Sequence, residues 1–233
     1  MDGHGFTFFG AALTARGSGA LWWAAERLLV VADLHLGKAE RLARRGGTLL
    51  PPYETRDTLA RLEAEIAATG PATVLCLGDS FDDAAAAGAL DEGDALWLTR
   101  LMAGRRWIWI AGNHDPGPVD LGGSHRAEWQ LGPVVFRHIA QAGGRGEVSG
   151  HYHPKVRLSL RGQSLARPCF LIDERRVILP AFGSYTGGLA SHEAVLSELM
   201  APGALAVLTG PAPRALPMPR AKGYSKPRST TSG

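Results

Sequence analysis

Four short clusters of aspartate, asparagine and histidine hold the chemistry this sequence can do. They are Asp33-Leu34-His35, Gly78-Asp79 with Asp82 and Asp83 just beyond, Gly112-Asn113-His114-Asp115, and Gly150-His151-Tyr152-His153. All four offer metal-binding side chains. In extended chain, residues i and i+2 point the same way, so Asp33 and His35 can reach one metal together. His151 and His153 can do the same, or divide between two metals. Gly78, Gly112 and Gly150 each stand one residue before a candidate ligand, where a missing side chain lets the backbone turn inward. Imidazole mixed with carboxylate suits Mn, Fe or Zn better than Mg or Ca, which prefer oxygen. Each cluster alone has a plainer explanation. Asp-x-His is common, Gly-Asp after a strand is often a turn, and His-x-His can be a surface pair. The conjunction carries the argument. Five of the eight histidines, His35, His114, His138, His151 and His153, lie at or just after apolar runs. His4, His125 and His192 lie in loop or helix contexts and are not expected to be ligands.

Those apolar runs are the elements that must position the clusters. Leu28–Ala32, Thr73–Leu77, Trp107–Ala111 and Glu147–Ser149 each run directly into a cluster. Val134–Phe136, Cys169–Ile172, Val177–Leu179 and Leu205–Leu208 are similar. Short runs rich in β-branched and aromatic residues read as buried strands. In open α/β sheets, ligands collect outside the carboxyl ends of the strands. Helices are expected over Glu54–Ala68, Asp91–Ala103 and Glu193–Met200. Leu59, Leu62 and Ile66 lie at helical spacing in the first of these. The early alternation of strand and helix argues for an α/β domain, and the strand-rich second half for a second sheet.

The length of 233 residues suits a substantial core. A single domain is expected over residues 1–210. A basic tail over residues 211–233, rich in Pro, Ala, Arg, Ser and Thr, is expected to be disordered. The formal net charge of +3 comes from that tail, which carries five Lys/Arg and no acid. The pI near 9.1 is therefore weak evidence that the body binds nucleic acid. From Arg137 to Arg176, eight Lys/Arg face three acids, which reads as a phosphate-backbone face or a solvated strand surface. Cys76 and Cys169 have no CxxC spacing, which argues against a disulfide framework or zinc knuckle. A cytoplasmic protein is expected. The N-terminus lacks a basic n-region, and the apolar runs are too short for a membrane span.

Taken in order, Asp33-x-His35, Gly78-Asp79-x-x-Asp82, Gly112-Asn113-His114-Asp115, His138 and Gly150-His151-x-His153 resemble the calcineurin-like metallophosphoesterase superfamily. Asp33-Leu34-His35-Leu36-Gly37-Lys38 and Leu179–Gly188 more narrowly resemble the bacterial DNA-ligase-associated metallophosphoesterases. The resemblance implies a four-layer αββα sandwich of two mixed β-sheets flanked by helices, with metals at its rim. It implies two divalent metal ions, manganese first and iron or zinc as alternatives. One takes Asp33, His35, Asp79 and His153, and the other takes Asp79, Asn113, His138 and His151. Two metals about 3.5–4 Å apart can clamp an in-line displacement at phosphorus. His114 is then the group that protonates the leaving oxygen or stabilises the transition state. Asp82 and Asp115 either orient neighbouring groups or are solvated turn carboxylates. Lys38, Arg41, Arg44 and Arg45 could meet a phosphate backbone or cap a helix. Tyr185 could stack on a base or pack under its loop. The implied activity is a DNA endonuclease or phosphodiesterase in repair, alongside an ATP-dependent DNA ligase, a helicase and an exonuclease. Two alternatives stand beside it. One is a phosphoesterase for a nucleotide or other small molecule, since fold does not fix substrate. The other is a non-catalytic scaffold in a repair complex, although a scaffold would be free to lose ligands.

Overall fold

A computed structural model describes residues 3–39, 41, 53–83, 85–115, 117, 121–160 and 163–221. Arg44, Arg45 and the chain after residue 221 lie outside these described residues. The first sheet holds β1 (Gly3–Phe8), β2 (Ala11–Arg16), β3 (Leu21–Trp23), β4 (Leu28–Val31), β5 (Thr73–Cys76), β6 (Arg106–Ile110) and β7 (Ser124–Arg126), in that spatial order. β1 to β4 pair antiparallel, and β4 to β7 pair parallel. The second sheet holds β8 (Glu128–Leu131), β9 (Val134–Arg137), β10 (Glu147–Ser149), β12 (Gln163–Ile172), β13 (Arg176–Ile178), β14 (Leu205–Leu208) and β15 (Arg214–Pro217). β11 (Lys155–Leu160) pairs with β12 as a hairpin outside that path. Here β9, β10 and β13 are parallel neighbours.

The alternation of side chains explains the layers. Leu28 and Val30, Leu75 and Leu77, and Ile108 and Ile110 face Phe136, Val148, Phe170, Val177 and Val207 in one apolar cluster between the sheets. Their neighbours Leu29, Val31, Val74, Cys76, Trp107 and Trp109 face the other way. That outer face is covered by α1 (Glu54–Thr69) and α2 (Glu92–Met102) through Leu59, Leu62, Ile66, Leu98 and Leu101. α3 (Ala194–Leu199) adds Leu196 to the outer face of the second sheet, beside Cys169, Leu171, Ile178 and Ala206. The expected four-layer αββα arrangement follows. α1 ends where Gly70 takes a left-handed φ of 57°, and α2 begins where Asp91 accepts from the Gly93 N–H.

Two expectations need correction. The expected domain boundary at 210 and the disordered tail from 211 fail for residues 211–221. β15 pairs antiparallel with β14, Met218 is buried, and Arg220 donates to the carbonyls of Ser197, Met200 and Ala201. These bonds cover the carbonyl end of α3, which the helix itself cannot satisfy. The ligand-bearing dipeptides are also not extended. Asp33, His35, Asp79, His151 and His153 all have φ between 45° and 71°. Left-handed turns, rather than the two-residue alternation of a strand, aim these side chains.

Candidate metal centre

Six parallel strands, β4, β5, β6, β9, β10 and β13, end at one rim. The first three are followed by Asp33, Asp79 and Asn113, and the next two by His138 and His151. The segment after β13 lies across the first of these, with the Phe182 and Gly183 N–H groups donating to the carbonyls of Ala32 and Asp33. Positive φ in a non-glycine residue costs of order 1–3 kcal/mol and persists where the surroundings impose it. Five such residues converge here, which marks the rim as the strained part of the fold. The three preceding glycines are required by close approach. A Cβ on Gly78 would lie 2.6 Å from His138 Nδ1, one on Gly112 2.2 Å from Asp79 Oδ1, and one on Gly150 2.4 Å from Asp33 Oδ2.

The side chains form two groups, Asp33, His35 and His153, and Asp79, His138 and His151. Within each, one potential ligand atom per residue lies within 4.8 Å of the others. Asp79 Oδ2 lies 3.3 Å from His138 Nε2 and also faces His114. The second group gains Asn113, whose Oδ1 lies 2.9 Å from His138 Nε2.

Hydrogen bonding shows what these groups are built to hold. Leu77's carbonyl only accepts, so His138 Nδ1, 2.8 Å away, is the donor. In the neutral ring, that leaves Nε2 as a lone pair. Facing it are Asp79 Oδ2, Asn113 Oδ1 and His151 Nδ1, the last at 3.2 Å. These four atoms converge within reach of one another, and a metal ion would satisfy them together. The first group repeats the pattern. His35 Nδ1 donates to Asp82 Oδ1 at 2.9 Å, and its buried Nε2 has no partner. His153 Nε2 is likewise buried without a hydrogen bond, 3.2 Å from Asp33 Oδ1. The donor set fits metal ions at both positions.

The electrostatics agree. Burial opposes ionisation of Asp79, but His138 and the His114 N–H outweigh it and hold the carboxyl down at about 2. Burial also opposes the charge on His138, and the Asp79 and Asp33 carboxylates outweigh it, raising its pKa. For His151, burial and the nearby His138 charge both lower the pKa.

The supporting shell settles an ambiguity of the sequence. Asp82 is buried, not solvated; it receives His35 Nδ1 on one oxygen and Arg41 Nε on the other. Burial opposes its ionisation, yet His35 and Arg41 keep its pKa low. Asp115 is buried too. It accepts from the backbone N–H groups of Asp79, Ser80, Phe81 and Gly112 at 2.8–3.2 Å, which pins the turn carrying Asp79. Burial, reinforced by the nearby Asp79 charge, pushes its pKa up to about 6. His114 stands apart from both groups. Its N–H donates to Asp79 Oδ1, its Nδ1 to the Asp82 carbonyl, and its Nε2 lies 4.0 Å from Asp79 Oδ2 with the side chain 41% exposed.

Arg41 is tied to Asp82 at Nε, so it positions that carboxylate rather than standing free for substrate. Lys38 and Tyr185 meet at the first group's flank, where Lys38 Nζ donates to the Tyr185 carbonyl and the Tyr185 side chain is exposed. Sequence reasoning missed Lys155, whose Nζ donates to the adjacent Thr186 carbonyl. Its position two residues beyond His153 was the available signal. Burial and the neighbouring Lys38 lower its pKa.

Comparison with known proteins agrees with this geometry. The model of the calcineurin-like phosphoesterase family matches residues 26–166, and the chain belongs to that family. It is therefore a metal-dependent hydrolase of phosphate esters. Among solved structures it is similar to the crystal structure of Pseudomonas putida nuclease MPE. The two are 32% identical, with a TM-score of 0.69 over 88% of this chain and 96% of that one. Curated proteins give no match.

Proposed function

We propose that this protein is a phosphodiesterase that cleaves DNA strands, with two divalent metal ions held by the two groups at the rim. The observation that carries the two-metal reading is the pair of convergent clusters, the first with the Nε2 atoms of His35 and His153 buried without a hydrogen bond, the second with His138 Nε2 turned toward Asp79, Asn113 and His151. The similarity to a nuclease along nearly the whole chain supports a nucleic-acid substrate. The first metal is assigned to Asp33, His35, Asp79 and His153, and the second to Asp79, Asn113, His138 and His151. Manganese suits this mixture of imidazole, carboxylate and amide oxygen, with iron or zinc next. Held there, such ions would make a bound water easier to deprotonate and would offset charge on the non-bridging oxygens.

The chain's own residues do the rest. Asp79, which belongs to the second group, is assigned as the ligand the two metals would share. His114 Nε2 is open to the rim and free of both groups, so it is placed to give a proton to the leaving oxygen. Asp82 fixes the His35 tautomer, so that Nε2 presents its lone pair. Lys38 and Tyr185 are placed to meet the strand beside the scissile phosphate. A setting in DNA repair, alongside a ligase, a helicase and an exonuclease, follows from the resemblance of the Asp33–Lys38 and Leu179–Gly188 segments. A cytoplasmic location accords with two buried, unbridged cysteines. Among the described residues, no helix is long and apolar enough to cross a membrane.

The test is a metal-dependent activity panel. It compares a small phosphodiester, phosphomonoesters, cyclic nucleotides, and single- and double-stranded DNA, with Asp79→Ala as control. Manganese-dependent DNA cleavage lost in the variant is expected. Hydrolysis confined to nucleotides would replace DNA with a small-molecule substrate. Activity unchanged in Asp79→Ala would sink the two-metal assignment.

A further inference from the structure

The segment 182–189 is strapped across the first metal group. One end is fixed by N–H groups donating to the carbonyls of Ala32 and Asp33. The other is fixed by Leu189 N–H donating to Tyr152 and Lys155 N–H donating to Leu189. Lys38 and Lys155, each two or three residues beyond a candidate ligand, donate from opposite strand ends to the consecutive carbonyls of Tyr185 and Thr186. Among the described residues neither ammonium has a carboxylate within ion-pair distance.

Beside this strap lies an open groove of about 580 Å³. Its walls include Ser184, Tyr185 and Thr186 of the strap and Lys155, Ala166 and Pro168 of the β11–β12 hairpin. Gly210 also lines it, and a Cβ there would lie 3.6 Å from Nη1 of Arg167, whose side chain leaves the hairpin on the face opposite Ala166 and Pro168. Arg167 and Arg157 are exposed and without an ion-pair partner among the described residues. Asp57 is the single acid on the wall, and it is occupied by the Ser184 hydroxyl.

We infer that this groove is the track along which the substrate's sugar-phosphate backbone continues away from the scissile phosphate, with Lys38 and Lys155 at its mouth and Arg167 reaching it beside Gly210. The inference rests on the nuclease reading and adds where the strand runs and what holds it. The chemistry favours a polyanion. Lysines held by backbone carbonyls but by no carboxylate among the described residues stand at an open channel, where Tyr185 offers an exposed ring. A single small diester would leave the far end of the groove unfilled.

Three forms of the protein, wild type, Lys155→Ala/Arg167→Ala and Lys155→Arg/Arg167→Lys, test this. Two readouts are used with each. One is kcat/KM in manganese for a labelled oligodeoxynucleotide and for bis(p-nitrophenyl) phosphate. The other is oligonucleotide binding by fluorescence anisotropy in EDTA across a salt series. The alanine pair should lose roughly tenfold or more in oligonucleotide kcat/KM beyond any loss on the small diester, mainly through KM. Its salt slope should fall by about 0.7–0.9 per contact removed, and the charge-keeping pair should restore both. Equal losses on both substrates, or an unchanged salt slope, overturn the groove while leaving the nuclease reading intact. A wild type that hydrolyses the small diester but neither binds nor cuts DNA overturns both. Circular dichroism and melting of the variants separate a folding defect from either result.

Discussion

Two carboxylates at the rim, Asp82 and Asp115, touch no candidate metal position yet set the geometry of those that do. Asp82 is gripped by Arg41 on one oxygen and holds His35 Nδ1 with the other, so His35 can only offer Nε2 inward. Removing such a partner costs about 10- to 100-fold in metal affinity in comparable sites. Asp82→Asn should therefore weaken the first metal by that factor in a manganese titration and leave the second largely unaffected. An unchanged affinity would reduce Asp82 to a structural ion pair. His114 makes the opposite prediction. His114→Ala should keep full metal content by elemental analysis while kcat falls about 10²- to 10⁴-fold. Loss of metal would make it a ligand instead. The residues that converge at the rim were legible in the sequence, because histidine and aspartate after apolar runs are rare in conjunction. The roles of Asp82 and Asp115 were not. A turn carboxylate reads the same whether it faces water or, as Asp115 does, four backbone N–H groups contributed by two different turns.

Elements with a continuous apolar run were readable, and those without one were not. β4 and the inner positions of β5, β6 and β14 are buried by partners on both faces, so those positions demand apolar residues. β15 reads Arg-Ala-Leu-Pro and is an edge strand, whose stability comes from pairing with β14 rather than from its own composition. The same holds for β11 and the outer half of β12, a hairpin that adds only Val156 and Leu158 to the apolar cluster. Proline at the end of an edge strand, with charge around it, resembles a disordered tail and also marks a protected edge. Because Met218 is buried and Arg220 covers the carbonyls ending α3, cutting the chain after Thr209 should destabilise the body. Met218→Ala alone should cost about 2–5 kcal/mol, as buried methionine truncations do. Urea denaturation measures this. A midpoint equal to wild type would mean that β15 and Met218 dock without contributing to the fold.

On the scale of the whole molecule, the two sheets are joined in two ways that respond to different perturbations. The apolar cluster between them is contributed by alternate residues of both sheets, and nothing in it depends on metal. At the rim the join is polar. Asp33, His35, Asp79 and Asn113 come from the first sheet, and His138, His151 and His153 from the second. Each proposed metal therefore ties one sheet to the other, and without metal the same acceptors face each other across the seam. A ligand that binds only the folded form stabilises it by about 2.7 kcal/mol at a hundredfold excess over its Kd. For a protein of this size that corresponds to a rise of roughly 5–10 °C in Tm for one site. Manganese added to chelator-treated protein should raise Tm by at least that amount, and Asp79→Ala, which removes the residue proposed to be shared by both sites, should lose most of the rise. The truncation of Met218 should behave differently, lowering Tm in both the metal-free and metal-loaded states by the same free energy, because it lies on the far side of the second sheet from the seam. If manganese left the melting temperature of the wild type unmoved, the rim would not be a metal-bridged seam, and the strained turns that aim its ligands would need another cause.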